Sequence, residues 1–206
     1  MTPEKRGVVE AAKEKVSPMV RKVLLMSMNV GGGHTALRDA FAASLARIDP
    51  EGHRFEVVTY ESKDESTLAF YTWVVRHLNP FQWVVHRFSG SERVLRTVLL
   101  KEQDGLIAEG RALFEKHQPD VVVSAHLILT GALVIARDQL GLATKIVTAI
   151  PDYGPPTRGF FPKRKSIRPD GAITMEERAY EALLERSHAN KDNVHLSGFL
   201  PRPPFE

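Results

Sequence analysis

Cysteine is absent from the 206-residue chain. Disulfides and thiolate chemistry are therefore excluded. Long hydrophobic runs are missing too. None approaches the roughly 18 residues that a bilayer-spanning helix requires, and the opening MTPEKRGVVEAAKEKVSPMVRK lacks the apolar stretch of a secretory leader. Neither sign of charge dominates: 28 Lys and Arg face 25 Asp and Glu, a net charge of +3, which argues only weakly for nucleic acid. Walker A, G-x-G-x-x-G, HExxH and HxxEH patterns do not occur, and no internal repeat or low-complexity tract is visible.

What is present is a core-forming composition, 43% hydrophobic, arranged in alternating elements. Residues 1–18 are charged and proline-containing and read as a loose arm. The run 23–28 (VLLMSM) reads as a strand covered on both faces. Ala36, Ala40 and Ala43 with Leu37, Phe41 and Leu45 give helical spacing up to Asp49-Pro50. Residues 55–60 form the next strand. After the segment 66–100 the alternation resumes. Helices are expected at 107–117, 130–140 and 176–186, and strands at 120–124, 144–150, 171–174 and 194–196. Short buried strands separated by helices predict an α/β, doubly wound, mainly parallel Rossmann-like sheet.

The junction NVGGGH, between the first strand and the first helix, carries most of the functional signal. Gly31, Gly32 and Gly33 let a ligand approach the backbone and tolerate positive φ. They precede a helix N-terminus, whose unpaired amides favour an anion or an oxygen-rich group. His34 falls in the first helical turn, where the dipole favours the neutral ring and so suits a base. A ligand-free turn and a solvated or capping histidine are the plain alternatives.

His126 and Asp152 each follow an apolar strand. In a parallel sheet such strand ends open onto the ligand crevice, on the same edge as the glycine junction. A carboxylate near a neutral histidine can orient it for proton abstraction. The plain alternatives are an edge histidine with its partners satisfied and a turn or cap aspartate. Segment 66–100 holds Trp73 and Trp83 among aromatic and basic residues. It suits an anionic bilayer surface or an acceptor groove. It suits equally two core helices whose arginines extend to solvent, and no RNA-binding motif supports a nucleic-acid reading. The tract RGFFPKRKSIR (158–168) is basic without an acid, and reads either as part of the same rim or as a solvated loop.

VLLMSMNVGGGHTALRDAFAASL resembles the opening of the monogalactosyldiacylglycerol synthase and processive diacylglycerol glucosyltransferase family. FEKHQPDVVVSAH, KIVTAIPDYG, RPDGAITMEERAYEAL and NVHLSGFLPRPPF resemble later blocks of that family, in order, out to residue 205. The resemblance implies one half of a GT-B fold. It implies an acceptor-binding domain over 19–198 with 66–100 as a helical insertion, and a proline-rich linker or tail at 199–206. The partners it implies are a UDP-sugar donor, a diacylglycerol-type acceptor, an anionic membrane surface and a C-terminal donor-binding domain. No cofactor, metal or nucleic acid is implied. His34 and Asp152 become the catalytic candidates. Gly31, Gly32, Gly33, His126, Tyr153, Trp73 and Trp83 become substrate-binding candidates. The expected location is cytoplasmic, on the inner face of the membrane, and the half alone is expected to be inactive. A non-enzymatic lipid-headgroup module is the alternative, and a UDP-sugar epimerase on a related fold is a weaker one.

Overall fold

The computed structural model describes residues 20–29, 32–63, 69, 104–151, 154–156, 159–186 and 188–200. The apolar, β-branched runs form β1 (Arg21–Met28), β2 (Phe55–Ser62), β3 (Val121–Ser124), β4 (Lys145–Ile150), β5 (Gly171–Thr174) and β6 (Val194–Leu196). Among the described residues the helices are α1 (Gly32–Ile48), α2 (Asp104–His117), α3 (Leu127–Leu140) and α4 (Glu177–Leu184), with a 3-10 turn at Lys165–Ile167. Every strand pairing is parallel, in the order β2-β1-β3-β4-β5-β6. The strands expected at 23–28, 120–124 and 144–150 are neighbours in this sheet. The predicted elements differ from the observed ones by a few residues at their ends.

Register explains the double winding. Leu24 lies opposite Val122, and Val122 opposite Ile146. These residues, with Met26 and Met28, pack against Leu106, Phe114, Leu129 and Leu133 of α2 and α3. The alternate residues Val123, Ala125 and Ala149 meet Leu37 and Phe41 of α1. Successive strand side chains point to opposite faces, so α1 lies on one face and α2 and α3 on the other. β1 is covered on both faces, and residues 23–28 are all buried. That burial is the reason for its near-continuous apolar run. Gly110 lets α2 approach α3 closely: a Cβ there would sit 3.2 Å from the Ala136 Cβ and 3.3 Å from Leu133 Cδ2. Gly141, at φ 63°, ends α3 in the left-handed conformation that glycine adopts without strain.

The path from β1 through α1 to β2 runs one way along the sheet. The path from β3 through α3 to β4 runs the other way. The winding therefore reverses between β1 and β3, the place where parallel sheets of this kind hold a ligand crevice at their C-terminal strand ends.

Residues 159–168 of the basic tract are not a plain solvated loop, and the segment 66–100 whose rim they are expected to share lies largely outside the described residues. Phe160 and Phe161 are buried with Ile150, Leu183 and Val194, and Ile167 joins the main core. His188 Nε2 donates to the Phe161 carbonyl at 2.9 Å, and the imidazole stacks on the Phe161 ring. Arg186 donates to the Pro156 carbonyl at 2.7 Å. The loop leaves the C-terminal end of β4 and rejoins the opposite edge at Asp170, whose N–H bonds the Ile146 carbonyl at 2.7 Å. Exposed Lys163, Arg164 and Lys165 lie on the descending part. The aromatic pair anchors what composition alone presents as a basic loop.

Among the described residues no helix is long and apolar enough to cross a membrane. The arm 1–18, and Trp73 and Trp83 of the aromatic segment, lie outside the described residues. The start of the proline-rich tail is held: Leu200 packs against the cluster of Leu37, Ala125 and Ala149, while Phe199 is 61% exposed.

Candidate active site

β1 passes into α1 with little intervening loop, so Gly32, Gly33 and His34 form the first helical turn. The described glycines with positive φ are Gly52, Gly141, Gly154 and Gly198. Gly32 and Gly33 are therefore not there for left-handed backbone, contrary to the conformational half of the sequence argument. Packing does not require them either. A Cβ built on either one meets nothing within 4 Å among the described residues, in contrast to Gly110. The bare space lies at the α1 N-terminus, where backbone amides lack intrahelical partners.

His34 is half-buried, and its Nδ1 lies 2.6 Å from the carbonyl oxygen of Ala125. A carbonyl only accepts, so Nδ1 carries the proton and donates. In the neutral ring, Nε2 is then the bare nitrogen. Ala125 directly follows β3, the strand next to β1 across the point where the winding reverses, and its own N–H donates to the Met26 carbonyl at 3.0 Å. The sequence argument looks to Asp152 to orient this histidine. The group that holds Nδ1 is instead a backbone carbonyl, which no side-chain pattern announces.

His126 comes next in the chain and is 5% exposed. Its ring stands edge-to-face against His34, with centroids 5.0 Å apart and planes at 72°. Aromatic pairs in this geometry contribute ~0.5–1.5 kcal/mol beyond simple burial. Burial, then the nearby His34, pushes the His126 pKa down to about 3, so this ring stays neutral at physiological pH. Its Nδ1 is buried and has no hydrogen-bond partner among the described residues. The His126 backbone is held firmly: its carbonyl accepts the Thr130 N–H at 2.8 Å and the Thr130 hydroxyl at 2.9 Å.

The flanks of the crevice are braced by contacts that sequence reasoning missed. On the α1 face, Arg38, with a side chain 14% exposed, donates to buried Ser27 at 3.2 Å and lies 3.6 Å from Glu61. Thr35 donates to the same Glu61 carboxylate at 3.3 Å. Glu109 of α2 ties down the end of β2 by accepting from Tyr60 at 2.8 Å, Ser62 at 2.6 Å and the Lys63 N–H at 3.0 Å. Burial and this carboxylate push the Tyr60 phenol up to about 12. The Glu176 carboxylate accepts the Gly154 N–H and so holds the turn beyond β4. Each contact joins residues 11 or more positions apart, and no local pattern signals it.

Of the predicted site residues, the structure brings together Gly32, Gly33, His34 and His126. Gly31, Asp152, Tyr153, Trp73 and Trp83 lie outside the described residues. Among the described residues, no group of three or more His, Asp or Glu side chains could hold a metal ion. The arrangement offers a bare imidazole nitrogen to take a proton, a neutral ring beside it, and an open helix N-terminus suited to an anionic or oxygen-rich group.

No protein family model and no curated protein sequence matches the chain. Among solved structures, Acinetobacter baumannii MurG aligns over 88% of this chain and 46% of its own, at 13% identity and a TM-score of 0.48. The apo form of WaaB, a lipopolysaccharide outer core galactosyltransferase, aligns over 84% and 44%, at 11% identity and 0.48. The UDP co-structure of S. aureus MnaA aligns over 87% and 44%, at 12% identity and 0.48. The chain spans less than half the length of each of these structures. At these identities and scores the fold assignment stands on the strand order and register described above.

Proposed function

We propose that this chain is the acceptor-binding half of a GT-B glycosyltransferase that moves a hexose from a UDP-sugar to a diacylglycerol-type lipid, with His34 as the base. The observation that carries this reading is the 2.6 Å bond from His34 Nδ1 to the Ala125 carbonyl. It commits the second nitrogen to accepting a proton at the crevice where a parallel sheet binds its ligands. The five sequence blocks that resemble the diacylglycerol glycosyltransferases supply the reaction class.

In the proposed step, Nε2 takes the proton from the acceptor hydroxyl. The hydroxyl oxygen forms a bond to the anomeric carbon, and the bond from that carbon to the β-phosphate oxygen breaks, UDP leaving with the electron pair. The open space at Gly32 and Gly33 admits the phosphate-bearing or hydroxyl-bearing part of a substrate to the α1 amides. Asp152, Tyr153, Trp73 and Trp83 complete the proposed acceptor side, and the donor is held mainly by a second domain. The location that fits this chemistry is the cytoplasmic face of a membrane, reached peripherally.

The test is hexose transfer from labelled UDP-sugar to diacylglycerol in mixed micelles, using the protein with its donor-binding domain. His34→Ala is expected to lower kcat/KM by ~10² or more with the fold retained by circular dichroism. Transfer at the wild-type rate by the folded variant would remove His34 from the base role. Lipid binding without any transfer by the intact protein would favour the binding-module reading.

A further inference from the structure

Residues on the far side of the switch point do more than complete a sheet. The carbonyl that holds His34 belongs to Ala125, a residue anchored on every side. Its N–H is tied to β1 through Met26 at 3.0 Å. Its methyl group is packed among Leu37 and Ala149. The following peptide ends in the His126 carbonyl, which accepts the Thr130 N–H at 2.8 Å and the Thr130 hydroxyl at 2.9 Å, with the Ser124 hydroxyl at 3.4 Å. Thr130 Oγ1 is also 3.4 Å from Thr148 Oγ1 on β4. Ser124, Thr130 and Thr148 are at most 1% exposed, so water does not compete for these bonds. The His126 ring then stands against the His34 ring at 5.0 Å.

Helix geometry alone does not account for this arrangement. The Thr130 N–H is the ordinary first-turn bond of α3. The hydroxyl on the same carbonyl is additional, and a threonine back-bonded in this way is not what a helix prefers. The N-cap His126 makes no side-chain cap bond, so its imidazole is not there to cap α3. Both side chains are spent on the corner that presents the Ala125 carbonyl and walls the His34 ring.

We propose that Thr130 and His126 are positioning residues that hold His34 in the Nδ1–H tautomer, Thr130 by fixing the His126 carbonyl, in the peptide next to the one that carries the Ala125 carbonyl, and His126 by fixing the plane of the His34 ring. The proposal deepens the reading of His34 as a base and rests on it for its catalytic consequence. The tautomer itself is a property of this chain and is measurable without activity. A neutral histidine freed from this corner loses the carbonyl that selects Nδ1–H, and part of its population carries the proton on Nε2, the nitrogen that must be bare.

The experiment is nitrogen-15 NMR of the His34 imidazole in this chain, in wild type and in Thr130→Val, Thr130→Ser, His126→Ala and His126→Phe. Wild type is expected to show His34 protonated at Nδ1. Thr130→Val keeps the volume and loses the hydroxyl, so the Nδ1–H population should fall measurably, and Thr130→Ser should restore it. His126→Ala should likewise mix the tautomers, and His126→Phe, which keeps a ring against His34, should restore Nδ1–H. A purely structural role would instead move unfolding midpoints and leave the His34 nitrogen shifts alone. An unchanged Nδ1–H population in folded Thr130→Val and His126→Ala would overturn the proposal. Should His126→Ala fail to fold, the Thr130→Val and Thr130→Ser pair decides by the same readout. In the two-domain enzyme, Thr130→Val should lower kcat roughly tenfold and leave KM unchanged, a partial form of the wrong-tautomer defect. A shifted tautomer with unchanged turnover would leave the positioning device standing and remove His34 from the base role.

Discussion

The two edges of the sheet are built from different chemistry. At the N-terminal edge, aspartates pin the strand starts. Asp49 accepts the N–H groups of His53, Arg54 and Phe55 at 2.7–3.1 Å. Asp120 accepts that of Lys22 at 2.8 Å. Asp170 accepts that of Ile146 at 2.9 Å while holding Arg137 at 2.6 Å. At the C-terminal edge stand His34, His126, two glycines with open space and a set of buried hydroxyls. At the lower edge each of these carboxylates accepts at least one backbone N–H, and Asp120 and Asp170 also face cationic side chains. The upper edge has an imidazole nitrogen with no partner among the described residues and a committed tautomer. A fold needs the first kind of edge, and a ligand needs the second.

Substitutions should therefore separate along this division. The largest expected effect is His34→Ala, which should lower transfer by ~10² or more while the unfolding midpoint stays close to that of wild type. Its counterpart is Asp170→Ala. Removing this carboxylate leaves the Ile146 amide unpaired and the Arg137 guanidinium, with a side chain 13% exposed, without its 2.6 Å partner. A loss of about 2–3 kcal/mol of stability is expected in denaturant titrations, with activity per folded molecule retained. An Asp170→Ala protein that is stable but inactive would break the comparison.

Acid should act on the two edges in different windows. A free histidine titrates near 6.5, and His126 in the fold near 3. Between those values the unfolded chain holds a proton that the folded chain does not. Stability is then full above about 6.5 and declines as pH falls through the window, by at most about 1.4 kcal/mol per pH unit. For Asp170, burial opposes ionisation, but the Ile146 N–H and the Arg137 and Lys145 cations outweigh it and hold the carboxyl below its ordinary 3.8. Its contribution is present above that value and is lost as pH falls below it. The histidine edge should yield first. Urea titrations from pH 7 to 4 should show a slope that His126→Phe flattens, and an equal slope in that variant would assign the acid sensitivity elsewhere.

The smallest expected effect on the fold is Gly33→Ala. The new methyl meets nothing within 4 Å among the described residues, and alanine is the better helix former by up to ~1 kcal/mol. Thermal unfolding should be unchanged or slightly later, while the proposed transfer should fall because the methyl would occupy the space that the proposal gives to substrate. Transfer at the wild-type rate would mean that nothing approaches this turn.

The element pattern was legible because it is local. VLLMSM, DVVVS and KIVTAI alternate with alanine- and leucine-rich helical spacing, and strand ends in a parallel sheet gather on one edge by topology alone. That is sufficient to place His34 and His126 on one edge of the sheet. The remaining features were not legible because they depend on which distant atoms meet. Phe160 and Phe161 lie within a basic, proline-flanked tract, and only the neighbourhood of Ile150 and Leu183 buries them. Gly32 and Gly33 look in sequence like glycines needed for turning the chain, and only their ordinary φ and empty surroundings show otherwise.

By itself the sequence determined a parallel, doubly wound sheet, the absence of any thiol chemistry, and a histidine at the start of the first helix. These follow from composition and from periodicities of two and 3.6 residues, which each stretch of chain expresses on its own. Only the tertiary structure decided which nitrogen of His34 carries the proton. That choice belongs to the Ala125 carbonyl, 91 residues away in the chain. Every residue but proline has the same backbone N–H and C=O, so no amino-acid pattern can mark which carbonyl the fold will bring to a side chain.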